Sequence, residues 1–136
     1  MTRSASILTA SSLAALLLAA PASAAVSGKY RGDTSQNRTV HATVKNGKIT
    51  NLSFSVFLLC GPGGSNGSMT DALAVKGVRV KANGSFTVRS KGDSANGLAT
   101  YVLKGKVTRS KVTGSIEQFF RNGCQTFDLT FSAKRR

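Results

Sequence analysis

Beyond the first two dozen residues, apolar and polar side chains exchange places every second position along most of this chain, and no segment sustains helical apolar spacing. A period of two is what a strand with one buried face requires, so the sequence predicts an all-β fold. The longest run is K-I-T-N-L-S-F-S-V-F-L-L-C, residues 48–60. There Leu52, Phe54, Val56, Leu58 and Cys60 share one face. Ser53 and Ser55 lie opposite, but Phe57 and Leu59 join that side, so the far end of the strand is expected to be covered on both faces.

The N-terminus reads differently. Arg3 precedes an Ala/Leu-rich apolar run over 7–20, and Pro21-Ala22-Ser23-Ala24 ends in a small-x-small pattern. This is the layout of a secretory signal peptide over residues 1–24, followed by a single all-β domain over 25–136. The run is shorter than the ~20 residues that span a bilayer. No twin arginine or junction cysteine is present, so the general secretion route is expected, and a secreted product. No later segment is apolar enough to cross a membrane as a helix. Removing the leader from 136 residues leaves 112, a usual size for one core.

Along that domain the alternation breaks into strands. Gly28 to Gly32 is a short opening strand, and Val40, Ala42 and Val44 face inward on the next. Asn46-Gly47 is a strong hairpin signal leading into 48–60. Residues 69–75 fit either one helical turn or a strand. Val78 and Val80, then Phe86 and Val88, then Ala99, Tyr101, Leu103 and Val107, point inward in turn, with Gly105 marking a bulge or bend. Val112, Gly114 and Ile116 continue the pattern, Phe119-Phe120 interrupts it, and Phe127, Leu129 and Phe131 close it on the inner face. Cys124 is out of phase with these three; a bulge near the strand start, or a cysteine still in the turn, reconciles them. About eight antiparallel strands in a meander must protect their edges, so a small closed or partly open barrel is expected, with a two-sheet sandwich as the alternative.

Export bears on Cys60 and Cys124. Two cysteines in a secreted chain point to a disulfide, the alternative being two separate buried thiols. A bridge between them closes a loop of about 65 residues and stabilises by roughly 4 kcal/mol on the chain-entropy model.

Catalytic chemistry is thinly supplied. His41 is the single histidine and sits among threonines on a polar face; no G-x-S-x-G elbow marks a nucleophile for it to serve. A glycosidase needs two carboxyl groups across a cleft. Of Asp33, Asp71, Asp93, Glu117 and Asp128, only Glu117 and Asp128 fall as cross-strand neighbours, with Arg121 near enough to pair with them. One histidine and two cysteines assemble no zinc set, and no calcium-loop spacing occurs. The reading is a non-enzymatic domain without metal or cofactor. Arg31-Gly32-Asp33 and Lys91-Gly92-Asp93 match adhesion tripeptides, which arise readily by chance where Gly and Lys/Arg abound.

Two features remain. Gly61, Pro62, Gly63, Gly64, Ser65, Asn66, Gly67 and Ser68 form a flexible connector after Cys60 and the best single guess for a functional loop. The charge is the stronger feature: +14 overall, and +13 without the leader and its lone Arg3. Arg79, Lys81, Arg89, Lys104, Lys106, Arg109 and Lys111 recur outside the apolar faces of neighbouring strands, as one expected anion-binding stripe, and Lys134-Arg135-Arg136 adds a cationic tail. The partner expected is an anionic envelope or extracellular polymer. Nucleic acid is disfavoured because most aromatics fall on inner faces, leaving few for stacking. Two other readings stand beside this one: a barrel holding a small apolar ligand against Phe54, Phe86, Tyr101 and Phe127, and an inhibitor or partner-binding module presenting loop 61–68. The molecule is expected to be a monomer.

G-x-Y-x-G-x-T-S-Q over 28–36, a cysteine ending a long strand, N-G-S-F over 83–86, Gly105, Gly114 and a last-hairpin cysteine form an outline. It resembles a loose group of small exported single-disulfide β domains from high-GC Gram-positive bacteria. The resemblance implies fold and compartment. That group has no assigned function, so no functional residue carries over.

Overall fold

A computed structural model describes residues 26–92 and 97–136. The leader read over 1–24, and Asp93 of the Lys91-Gly92-Asp93 tripeptide, lie outside the described residues. The alternating segments become nine antiparallel strands: β1 (Gly28–Thr34), β2 (Thr39–Lys45), β3 (Lys48–Cys60), β4 (Ser68–Val75), β5 (Val78–Arg79), β6 (Ser85–Ser90), β7 (Thr100–Val107), β8 (Lys111–Arg121) and β9 (Cys124–Arg135). The stretch that fits helix or strand is β4, which brings the count among the described residues to nine against the eight or so expected.

The strands run in the order β4-β3-β2-β1-β9-β8-β7-β6, with β5 against the start of β3. The end of β3 also meets the start of β9, pairing Leu59 with Gln125 and Cys60 with Cys124. Strands β3, β2, β1 and β9 therefore close a four-strand barrel, and β4 and β8-β7-β6 extend from it. The Cys60–Cys124 disulfide forms at that closing pair, with Cα atoms 3.9 Å apart. Chain segments 64 residues apart in sequence are thus locked where the barrel shuts.

Inner faces meet in one core. Val40, Leu52, Val56, Leu103, Ile116 and Phe119 are wholly buried, and Phe54 lies 5.5 Å from Phe131 between ring centroids. Two aromatic rings rest on bare backbone. A methyl group added to Gly105 would collide with the Phe86 ring, and one on Gly114 would collide with Phe131. Gly105 pairs in unbroken register with Phe86 and Gly114, so it seats a ring; it makes neither bulge nor bend.

The irregularity lies elsewhere. β8 turns Val112 and Ile116 inward and then Phe119; β9 turns Cys124 and Thr126 inward and then Leu129, Phe131 and Ala133. Both strands change phase at the same level. Opposite β7 the register slips between Tyr101 and Leu103, and Asp128 takes a left-handed φ of 47°. This bulge restores Cys124 to the inner face from four residues inside the strand, not from its start. It also turns Phe127 outward, 59% exposed, where the alternation predicted it inside.

Candidate functional site

The outer surface has two contrasting ends. At the disulfide end, β3 passes to β4 through the glycine-rich connector. A tight 3₁₀ turn (Pro62–Gly64) occupies its middle. The Asn66 N–H donates to the Cys60 carbonyl at 2.9 Å, the Cys60 N–H to the Gly67 carbonyl at 2.9 Å, and the Gly61 N–H to the Gly123 carbonyl at 3.3 Å. The segment read as a flexible connector is a hydrogen-bonded turn. Its glycines are needed because Gly61, Gly63, Gly64 and Gly67 all take positive φ, which a side chain resists.

Beneath this turn lies a groove of about 300 Å³, walled by Gly61, Gly63 and Gly64 and floored by Phe57, Leu59, Gln125 and Phe127. Phe57 is 37% and Leu59 47% exposed, so the far end of β3 is open to solvent where it was expected to be covered. Gln36, from the β1–β2 turn, holds the groove together. Its Nε2 donates to the Phe57 carbonyl at 3.0 Å and to Thr126 Oγ1 at 3.1 Å, while its Oε1 accepts from the Phe57 N–H at 2.9 Å. One amide thereby bridges β3 and β9 just before the two strands pair.

A second concavity, about 470 Å³, opens on the other side of β9. It is lined by Gly92, Thr100, Val102, Gln118 and Phe120 among others. The register makes the two neighbours. Leu59 pairs with Gln125, Gln125 with Phe120, and Phe120 with Thr100, while Phe127 pairs with Gln118 along the next row. Tyr101, on the inner side, stacks on Phe119 with centroids 5.6 Å apart, and burial pushes its phenol above the ordinary value.

The opposite end, where β1 and β8 begin and β9 finishes, is cationic. Lys111 pairs with Lys134, Lys134 with Arg31, and Arg31 with His41. This places three cations and the lone histidine in one row across four strands. A second row follows: Lys45 pairs with Lys48, and Lys48 with Arg79. Beneath these rows the Tyr30 hydroxyl donates to the Thr108 carbonyl at 3.1 Å. Burial raises the Tyr30 pKa, and the nearby Arg135 charge partly offsets that.

All seven cations singled out from the sequence are exposed, but they do not form one stripe. Arg89, Lys104 and Lys106 share the β6–β7 surface, since Arg89 pairs with Val102 and Lys104 with Thr87. Lys111 and Arg79 belong to the two rows, while Lys81 and Arg109 occupy turns. The rows recruit residues read otherwise from the sequence: Arg31 as part of a tripeptide and Lys134 as a tail. Arg31-Gly32-Asp33 itself lies within β1, paired on both sides, and is not displayed on a loop. The missed signal was register: separation along the chain does not reveal which cations become lateral neighbours.

Acidic groups offset few of these charges. Among the described residues two ion pairs form: Glu117 with Lys104, and Asp71 with Arg121 at 2.8 Å. Arg121 thus pairs with β4, not with the carboxylates of its own hairpin. Among the described residues no three His, Cys, Asp or Glu side chains gather into a metal-sized group. No described helix is long and apolar enough to cross a membrane. No protein-family model, curated protein or solved structure matches the chain.

Proposed function

We propose that this is an exported, non-enzymatic domain that binds an anionic envelope or extracellular polymer through its cationic end. The observation that carries the reading is the pair of rows, Lys111–Lys134–Arg31–His41 and Lys45–Lys48–Arg79. Like charges set directly opposite each other across strands destabilise a sheet. Neither row includes a residue in an ion pair among the described residues. A closely spaced set of anions relieves that repulsion. Neighbouring strands lie about 4.8 Å apart, so a row presents positive charge at a pitch suited to a polymer with one anion per repeat unit. Binding releases counterions from such a polymer and so weakens as salt rises.

The test is retention on immobilised polyphosphate across a salt series. Affinity should fall linearly on a log–log plot. Replacing Arg31, Lys111 and Lys134 with glutamine should lower the slope by about 2–3, close to 0.7–0.9 per lost cation. Retention that ignores salt, or a slope untouched by the triple variant, would overturn the reading.

A further inference from the structure

We propose that His41 is the titrating member of the cationic row, so that the anionic polymer is held more tightly as the medium acidifies; this adds regulation to the site of the preceding reading and rests on that reading. Histidine is the side chain that ordinarily changes charge between about pH 5 and 8, and this chain carries one. The strand register decides what a proton there does. Residues directly opposite each other on antiparallel strands project from the same face. Lys111, Lys134, Arg31 and His41 therefore stand side by side on the outer surface, and all four are exposed. Protonation extends the line of positive charge from three strands to four, or roughly 14 Å at the usual strand spacing.

The surroundings leave the imidazole to solvent and ligand. It makes no hydrogen bond and no ion pair among the described residues. From β1, Arg31 faces it directly, while Lys29 and Asp33 lie on the two diagonals, opposite Thr43 and Thr39 of its own strand. From β3 it meets Ser53, with Asn51 and Ser55 to either side, so no charge faces it there. Lys45 stands further along the same outer face of β2, paired with Lys48. His41 is thus where the first row turns toward the second. A polymer laid along the first row and across to the second places an anion beside His41. That anion favours the imidazolium, so binding takes up a proton, and by reciprocity a lower pH strengthens binding.

The experiment titrates the wild-type chain, His41→Gln and His41→Lys with dextran sulfate, in a salt series repeated from about pH 8 down to about pH 5. Sulfate half-esters stay ionised throughout, so the charge of the probe does not change. Position 41 faces outward, and cooperative thermal transitions confirm that the variants fold. Wild type should bind about five- to eightfold more tightly at the acid end in about 0.1 M salt, with a salt slope steeper by about 0.7–0.9, the increment of one added cation. His41→Gln should keep the weaker affinity, and His41→Lys the tighter one, at every pH. A pH dependence that persists in His41→Gln assigns the proton to another group and overturns the proposal. Affinity that rises with acid while the salt slope stays fixed also overturns it, because the added charge then lies away from the polymer. A wild-type chain that binds neither dextran sulfate nor polyphosphate at any pH sinks the preceding reading as well; one that binds both, with salt dependence but no pH dependence, sinks this one alone.

Discussion

The disulfide end and the cationic end are built from the same strands yet held by different forces. At the disulfide end β3 and β9 are joined by a covalent bond, by two register pairs, by the Gln36 amide and by a turn that bonds across to Gly123. At the cationic end the backbone carries the closure. The Val107 N–H reaches the Gly84 carbonyl and the Arg135 N–H the Ser110 carbonyl, each at 2.8 Å, while side chains of like charge stand side by side. Apolar surface is left exposed where the frame is most constrained, and charge crowds where it is least. One end is therefore a rigid seat of exposed apolar surface, and the other a crowded field of positive charge.

The largest effect should come from cutting the covalent tie. Cys60→Ala with Cys124→Ala should lower stability by about 4 kcal/mol, from the loop that the bridge closes, read as a shift of the urea midpoint. Hydrogen exchange should show the asymmetry: amides near Leu59 and Cys124 should open first, and those near Val107 and Ala133 last. Uniform loss of protection would show that the two ends do not differ in the way described. Next comes the packing that both ends share. Gly114→Ala drives a methyl group into the Phe131 ring and the Lys104 carbonyl, and should cost about 1–3 kcal/mol by overpacking. A neutral result in chemical denaturation would mean that the core has slack.

The sequence displayed the barrel more fully than the site. Alternation alone locates β2, β3 and β6, and two cysteines behind a leader-like N-terminus point to the bond that closes the barrel. What alternation cannot show is a local loss of phase. Phe127 was read as core because Leu129 and Phe131 are core, and only the bulge at Asp128 separates them. Phe57 and Leu59 read as covered because they make the second face of the strand's far end apolar as well. Nothing in their own segment reveals that the neighbouring surface is a groove. Row partners such as Arg31 and Lys111, 80 residues apart, become neighbours through β9, a relation fixed by pairing and invisible to spacing. Gln36 falls in the G-x-Y-x-G-x-T-S-Q stretch over 28–36, but its role as a bridge is visible only in the fold.

Gln36→Ala tests the rigid seat with less force. Three hydrogen bonds disappear, at about 0.5–1.5 kcal/mol each in net terms, and the partial exposure of Phe57 lets water replace some of them. A loss of about 1–2 kcal/mol is expected, with faster exchange of the Phe57 amide. Thermal stability reduced without any change at Phe57 would remove Gln36 from the groove's frame.

The smallest effect is the most diagnostic because its two readouts have opposite signs. Lys134 stands between Lys111 and Arg31, so Lys134→Thr removes two like-charge contacts and supplies a residue that favours strands. Stability should rise by a few tenths of a kcal/mol, the low end of the cross-strand range because the row is solvated. That gain should fade above about 0.5 M salt, where screening acts within a few ångströms. Polyphosphate affinity should fall in the same variant, with a salt slope lower by about 0.7–0.9. A residue that costs stability while adding affinity is held in place by its ligand; one whose replacement changes neither merely keeps the domain soluble. Measuring the thermal midpoint and the salt slope on one variant therefore decides whether the cationic end binds or only solubilises.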